Sequence, residues 1–125
     1  MGSTAKSALF LLISVLFSLA QGLAASAETL TWHFRNDHPN TVSLELYSED
    51  RDHVWPGGNE VYILDDGNEI TISIECNSGE SICYGAWVRN RSSTYWGVGY
   101  DGEQSCDDCC YTCDGGETEL SILDQ

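Results

Sequence analysis

Residues 29–48 read TLTWHFRNDHPNTVSLELYS, two runs of period two around a polar cluster. In the first run Leu30, Trp32 and Phe34 point one way, and Thr31, His33 and Arg35 the other. In the second, Val42, Leu44 and Leu46 share a face. Each run predicts a strand with one apolar side, and NDHPN between them predicts a hairpin turn. The same pattern recurs downstream. EVYIL (60–64) and EITISIEC (69–76) flank DDGN, a second expected hairpin, with Ile70, Ile72 and Ile74 inward. ICYGAWVR (82–89) and TYWGVGY (94–100) are joined by NRSS, and TELSIL (118–123) reads as a closing strand. No window after residue 27 keeps a helical period. About seven short strands with turns between them predict an all-β fold, an antiparallel β-sandwich. The longest expected loop is SEDRDHVWPGGN, 48–59.

The N-terminus follows a different rule. One cation, Lys6, precedes the apolar run ALFLLISVLFSLA (8–20), and ASA (25–27) supplies small residues where a signal peptidase reads. That order predicts a signal peptide over residues 1–27, with Ala20 and Ala24 as other cleavage points. The run is short for a membrane span of about 20 residues. The expected mature chain, 28–125, is a single domain, secreted or periplasmic, with no membrane attachment after cleavage. Removing Lys6 leaves four arginines (Arg35, Arg51, Arg89 and Arg91) against all 20 acidic residues, a formal charge of −16. Nucleic acid is excluded as a partner, since phosphates require a basic footprint. Cationic partners fit, whether metal ions, basic peptides or basic protein surfaces.

Six cysteines fall in the mature part: Cys76, Cys83, Cys106, Cys109, Cys110 and Cys113. A zinc ribbon separates its two C-x-x-C knuckles by a spacer, whereas here the knuckles abut at Cys109 and Cys110. Thiol–disulfide catalysis needs a thiolate, and Asp107, Asp108 and Asp114 disfavour one. An even count in a small exported chain predicts disulfides for all six. Cys76 and Cys83 bracket NSGESI and form the leading pair, which would stabilise by roughly 2–3 kcal/mol through loop closure. The other four would then pair among themselves, Cys109 and Cys110 with different partners. Bridges from the strands to 106–113 are the alternative.

Other chemistry is sparse. His33 lies on an outward strand face; His38 and His53 lie in loops. There is no G-x-S-x-G elbow, and no methionine after Met1 to serve as an axial copper ligand. The oxygen-rich loops DDGNE (65–69), DRD (50–52) and DGEQSCDD (101–108) suit weak calcium binding, although none has EF-hand spacing and Asp-Gly is also ordinary turn chemistry. The aromatics speak more clearly. Trp55, Trp87, Tyr95, Trp96 and Tyr100 crowd into 48–59 and 84–100 with glycines between them. Tyr84 and Trp87 must face opposite ways, as must Tyr95 and Trp96. At least two large rings therefore face solvent or lie under a loop, a surface suited to a sugar or a peptide. Asn90-Arg91-Ser92 is a glycosylation sequon, relevant in a eukaryotic host.

YSEDRDHVWPGG, CNSGESICYGAW, YWGVG and CDDCCYTCDGG together resemble a group of small exported bacterial cysteine-rich proteins of unknown function, across roughly residues 41–116. The resemblance implies export and a cysteine framework, and it implies no activity. The expectation is an exported, non-catalytic binding module with no cofactor, its partner an unknown protein, peptide or glycan, a cationic one included. A small metal-binding protein, holding calcium in acidic loops or zinc on cysteines, is the alternative, and a hydrolase the third reading.

Overall fold

A computed structural model describes residues 26–124; residues 1–25, most of the expected signal peptide, lie outside them. Nine strands follow in order: β1 (Ala27–Asn36), β2 (Val42–Ser48), β3 (Val54–Trp55), β4 (Tyr62–Leu64), β5 (Glu69–Asn77), β6 (Ser81–Val88), β7 (Arg91–Gly97), β8 (Cys110–Thr112) and β9 (Glu117–Leu123). One 3₁₀ turn, Tyr100–Gly102, lies between β7 and β8. The seven expected strands are all present. β3 and β8 are short additions, and β7 begins three residues earlier than its apolar run.

The strands form two sheets. The smaller has the order β5–β1–β9. In the larger, β2 and β6 are central; β3 and β4 share the free edge of β2, and β7 and β8 share that of β6. All pairings are antiparallel except β1 with β9, which is parallel. Leu30, Trp32 and Phe34 of β1 and Ile72, Ile74 and Cys76 of β5 meet Val42, Leu44 and Leu46 of β2 and Ile82 and Ala86 of β6. At the centre Trp32 stacks on Phe34 with ring centres 5.7 Å apart, and Tyr84 stands edge-on to both. Burial of this apolar surface is the main stabilising term, about 25 cal/mol for each Å² removed from water.

The two expected hairpins are not hairpins. β1 pairs with β5 and β9, while β2 pairs with β3, β4 and β6. NDHPN is therefore a corner between sheets. Asn36, fully buried, holds it: its side-chain amide donates to the Asn40 and Leu64 carbonyls, and its Oδ1 accepts from the His38 N–H. DDGN is a second corner, from β4 in one sheet to β5 in the other, with Gly67 at φ 79°. The Gly67 N–H donates to the Asn36 carbonyl, so the two corners lock together. The β6–β7 turn is a true hairpin, tighter than expected. Val88 pairs with Arg91, leaving only Arg89 and Asn90 between the strands, and Asn90 takes the left-handed φ of 67°.

The cysteines pair as Cys76–Cys113, Cys83–Cys110 and Cys106–Cys109. The expected Cys76–Cys83 bridge is absent. Those residues end and begin strands in different sheets: Cys76 faces the core, whereas Cys83 faces away from it beside Cys110, its cross-strand neighbour. Bridging from the strands to 106–113 is the arrangement adopted. Cys109 and Cys110 do take different partners. Cys113, fully buried, plugs one end of the core and ties the chain after β8 to the smaller sheet. Three disulfides suit an oxidising compartment. No helix among the described residues is long and apolar enough to cross a membrane.

Candidate functional site

β6 is buried on both faces, which a strand in a two-layer sandwich is not ordinarily. Its inner residues Ile82, Ala86 and Val88 meet the core; its outer residues Cys83, Gly85 and Trp87 are covered as well. The cover is the segment after β7, which folds back over the outside of the larger sheet. Gly85 makes this possible. A Cβ there would collide with the Gly99 carbonyl oxygen and would sit 2.8 Å from the Tyr47 ring. Gly99, at φ 68°, turns the chain into the 3₁₀ turn, and Asp101 within that turn has φ 55°. Tyr100 is thereby laid edge-on against Trp87, with ring centres 5.2 Å apart.

Two neighbouring depressions of about 380 and 480 Å³ open on this covered face, and both are lined by Glu45, Val54 and Asp101. Tyr47, Glu49 and His53 continue the first; Trp87, Tyr100 and Glu60 continue the second. Glu45 and Tyr47 are successive outward residues of β2, which brings them together. The Tyr47 hydroxyl faces Glu45 Oε1 at 3.5 Å. Burial pushes the Glu45 carboxyl above the usual carboxylate range, and the negative charge of Asp101 adds to it. The Tyr47 phenol is pushed up by burial and by both carboxylates. Among the described residues the ion pairs are His33–Glu117, Arg35–Asp37, Arg35–Glu69 and Arg51–Glu80, so no cation is paired with Glu45 or Asp101.

Of the five aromatic residues singled out from the sequence, Trp87 and Tyr100 meet in this groove. Tyr95, the cross-strand partner of Trp87, stands beside them on the same face and is 42% exposed. Trp55 and Trp96 lie elsewhere. Trp55 pairs with Leu46 and Trp96 with Ala86, both inward residues, so the two indoles tuck under opposite edges of the larger sheet. Trp96 Nε1 donates to the Asp124 carbonyl at 2.7 Å. Trp55 carries the His53 ring at 4.5 Å and the Arg51 guanidinium at 5.7 Å. Tyr84 and Trp87 do face opposite ways, as the alternation requires.

Sequence reasoning missed Glu45, Tyr47 and Asp101. Glu45 looks like any outward glutamate in an alternating strand, and Asp101 like any loop acid. The one legible signal was Gly85 between two aromatics, a place where another segment approaches closely. Of the oxygen-rich loops, DDGNE lies apart at the corner between β4 and β5, whereas Asp52 of DRD and Asp101 of DGEQSCDD line the same depression. Asp65 spends its carboxylate on the Thr41 hydroxyl and its carbonyl on the Asn68 N–H, as a turn residue does. Among the described residues one group brings three metal-ligand atoms within 4.8 Å, namely Glu49, Cys83 and Cys110. The chain matches no protein-family model, no curated protein and no solved structure.

Proposed function

We propose that the protein is an exported, non-catalytic binding module whose groove on the covered face of the larger sheet takes a cationic side chain of a protein or peptide partner. One observation carries this reading: Glu45 and Asp101 converge in a groove walled by Tyr47, Trp87 and Tyr100, and among the described residues no cation is paired to them, Arg51 of the same lining being spent on Glu80. The Glu45 carboxylate, partly drawn out of water at a cost and facing the exposed Asp101, is completed by an opposite charge. Ring faces beside them attract the same ammonium or guanidinium group, by about 0.5–2 kcal/mol each. Arginine suits the site best, because its planar fork can donate to both carboxylates and stack on a ring. The overall charge steers basic partners toward any face of the molecule, and the groove selects among them. Export rests on the leader-like N-terminus and is consistent with three disulfides.

Titration calorimetry with arginine-rich, lysine-rich and neutral peptides tests this, alongside neutral oligosaccharides on an array. Basic peptides bind, arginine best, and Glu45→Gln/Asp101→Asn weakens them at least about tenfold, the worth of roughly 1.4 kcal/mol. Binding also weakens on mild acidification, because the raised Glu45 carboxyl takes up its proton earlier than an ordinary one. Equal binding of neutral peptides, or no loss in the double variant, overturns the reading.

A further inference from the structure

The group of Glu49, Cys83 and Cys110 has a geometry that the disulfide conceals. Cys83 and Cys110 are directly opposed on β6 and β8, with Cα atoms 4.0 Å apart. Glu49 follows β2, and its carboxylate has two separate jobs. Oε2 accepts from the Ser81 hydroxyl at 3.2 Å, and Oε1 faces Cys110 Sγ at 3.7 Å. A tetrahedral zinc with Zn–S of about 2.3 Å and Zn–O of about 2.1 Å sets sulfur and oxygen about 3.6 Å apart and two sulfurs about 3.8 Å apart. The sulfur–oxygen spacing is already present. Cys83 Sγ lies within 4.8 Å of the same carboxylate, and the sulfur–sulfur spacing is too short for a shared metal while a covalent bond holds the two atoms together. The Ser81 hydroxyl fixes the carboxylate as an outer partner of a metal ligand does. Arg51, the cation nearest in sequence, is spent on Glu80. Cys110 is half-exposed and Cys83 lines the first depression, so reagents reach the pair.

From this we infer that Cys83, Cys110 and Glu49 form a binding site for a thiophilic divalent cation, zinc or cadmium, that is closed while the disulfide is intact and opens when it is reduced. A dithiol supplies two electrons and two protons; the S–S bond breaks, two thiols form, and the dithiol closes to its own cyclic disulfide. The cation then displaces both thiol protons to solvent and takes two thiolates and one carboxylate oxygen, with a water as the fourth ligand. The site borders the first depression of the cation-binding groove but uses different atoms, and the groove reading needs neither reduction nor these sulfurs.

The test uses a Cys106→Ser/Cys109→Ser background, which removes the bridge between those two residues. Dithiothreitol treatment followed by alkylation and mass spectrometry identifies the thiols freed. After anaerobic removal of the reductant, Cd²⁺ is titrated and the thiolate-to-cadmium absorption is followed. The expected result is saturation at one equivalent with two protons released, no band from the oxidised protein, loss of the band in Cys110→Ser, and affinity at least about tenfold weaker in Glu49→Gln. If the buried Cys76–Cys113 bridge opens too, the Glu49→Gln comparison still reads this site, because Oε1 faces Cys110. No band with both thiols free, or unchanged affinity in Glu49→Gln, overturns the inference.

Discussion

The outer faces of the two sheets use the same alternation to opposite ends. On the smaller sheet the outward polar groups Thr31, His33 and Arg35 of β1 have partners in the chain. Thr31 and Ser73 share a hydrogen bond at 2.8 Å, His33 reaches Thr71 at 3.1 Å and Glu117 at 2.9 Å, and Arg35 is held by Asp37 and Glu69. On the larger sheet the outward strand residues include Glu45, Tyr47, Gly85 and Trp87, and a second layer of chain lies over part of that face. There no cation among the described residues is paired with Glu45 or Asp101. A face that settles its own charges has little left to offer a cationic partner, whereas a face that collects like charge beside aromatic rings does. The proposed site thus lies on the surface that remains electrostatically incomplete.

The largest expected effect breaks that contrast by releasing the cover. Cys83→Ala/Cys110→Ala removes the bridge that pins the covering segment to β6, closing a loop across a sequence separation of 27. Loop-closure entropy puts the loss at about 3–4 kcal/mol. Thermal unfolding by circular dichroism should show it, and amide exchange should rise at 98–110 more than in β1 and β5. Equal loosening of both sheets would mean that the two faces are not separately held.

Next comes the latch where the sheets meet. Glu80 is almost fully buried and accepts from the Arg51 guanidinium, the Ser48 hydroxyl and the Asn77 N–H. These partners, Arg51 foremost, hold its carboxyl down to about 2 against desolvation. A carboxyl depressed in the folded state stabilises fully above its unfolded value, near 4.5. That contribution, roughly 3 kcal/mol, is lost as the pH falls from about 5 toward 2. Urea midpoints across that range should fall steeply in the native chain and much less in Glu80→Gln. Parallel profiles for the two proteins would remove Glu80 from the account.

The smallest effect sharpens the comparison from the other side. Glu117→Gln on the smaller sheet severs an exposed pair with His33, and such pairs are worth under about 1 kcal/mol. Its unfolding midpoint should barely move, and its affinity for basic peptides should stay within twofold of the parent. A binding loss as large as that of Glu45→Gln/Asp101→Asn would mean that bulk charge, not the groove, does the recognising.

The strands were legible because one apolar face imposes period two, and this holds for β1, β2 and β5, whereas in β9 the alternating Leu120 and Ile122 are exposed and Leu123 is buried. Which strands pair was not. NDHPN and DDGN read as hairpin turns because Asn, Asp, Pro and Gly serve any sharp reversal. Whether the chain then returns beside itself or crosses to another sheet depends on Asn36, whose partners Asn40 and Leu64 include one far along the sequence. The sulfur pairing failed for the same reason: Cys76 and Cys83 are near in sequence but belong to opposite sheets. Trp87 was legible as an outward ring, since β6 could not bury both it and Tyr84 in one core. Glu45 and Asp101 become neighbours only when the segment after β7 folds over β6, a contact that no local pattern announces.

The parallel union of β1 with β9 has a consequence for how the molecule comes into being. Thr31 waits for Glu117, and Asn36 for Leu123. A chain delivered from its N-terminus cannot complete its smaller sheet until its final strand arrives, and Cys113 seals the core just before that. Closure of the smaller sheet is therefore a late event in the folding of the chain.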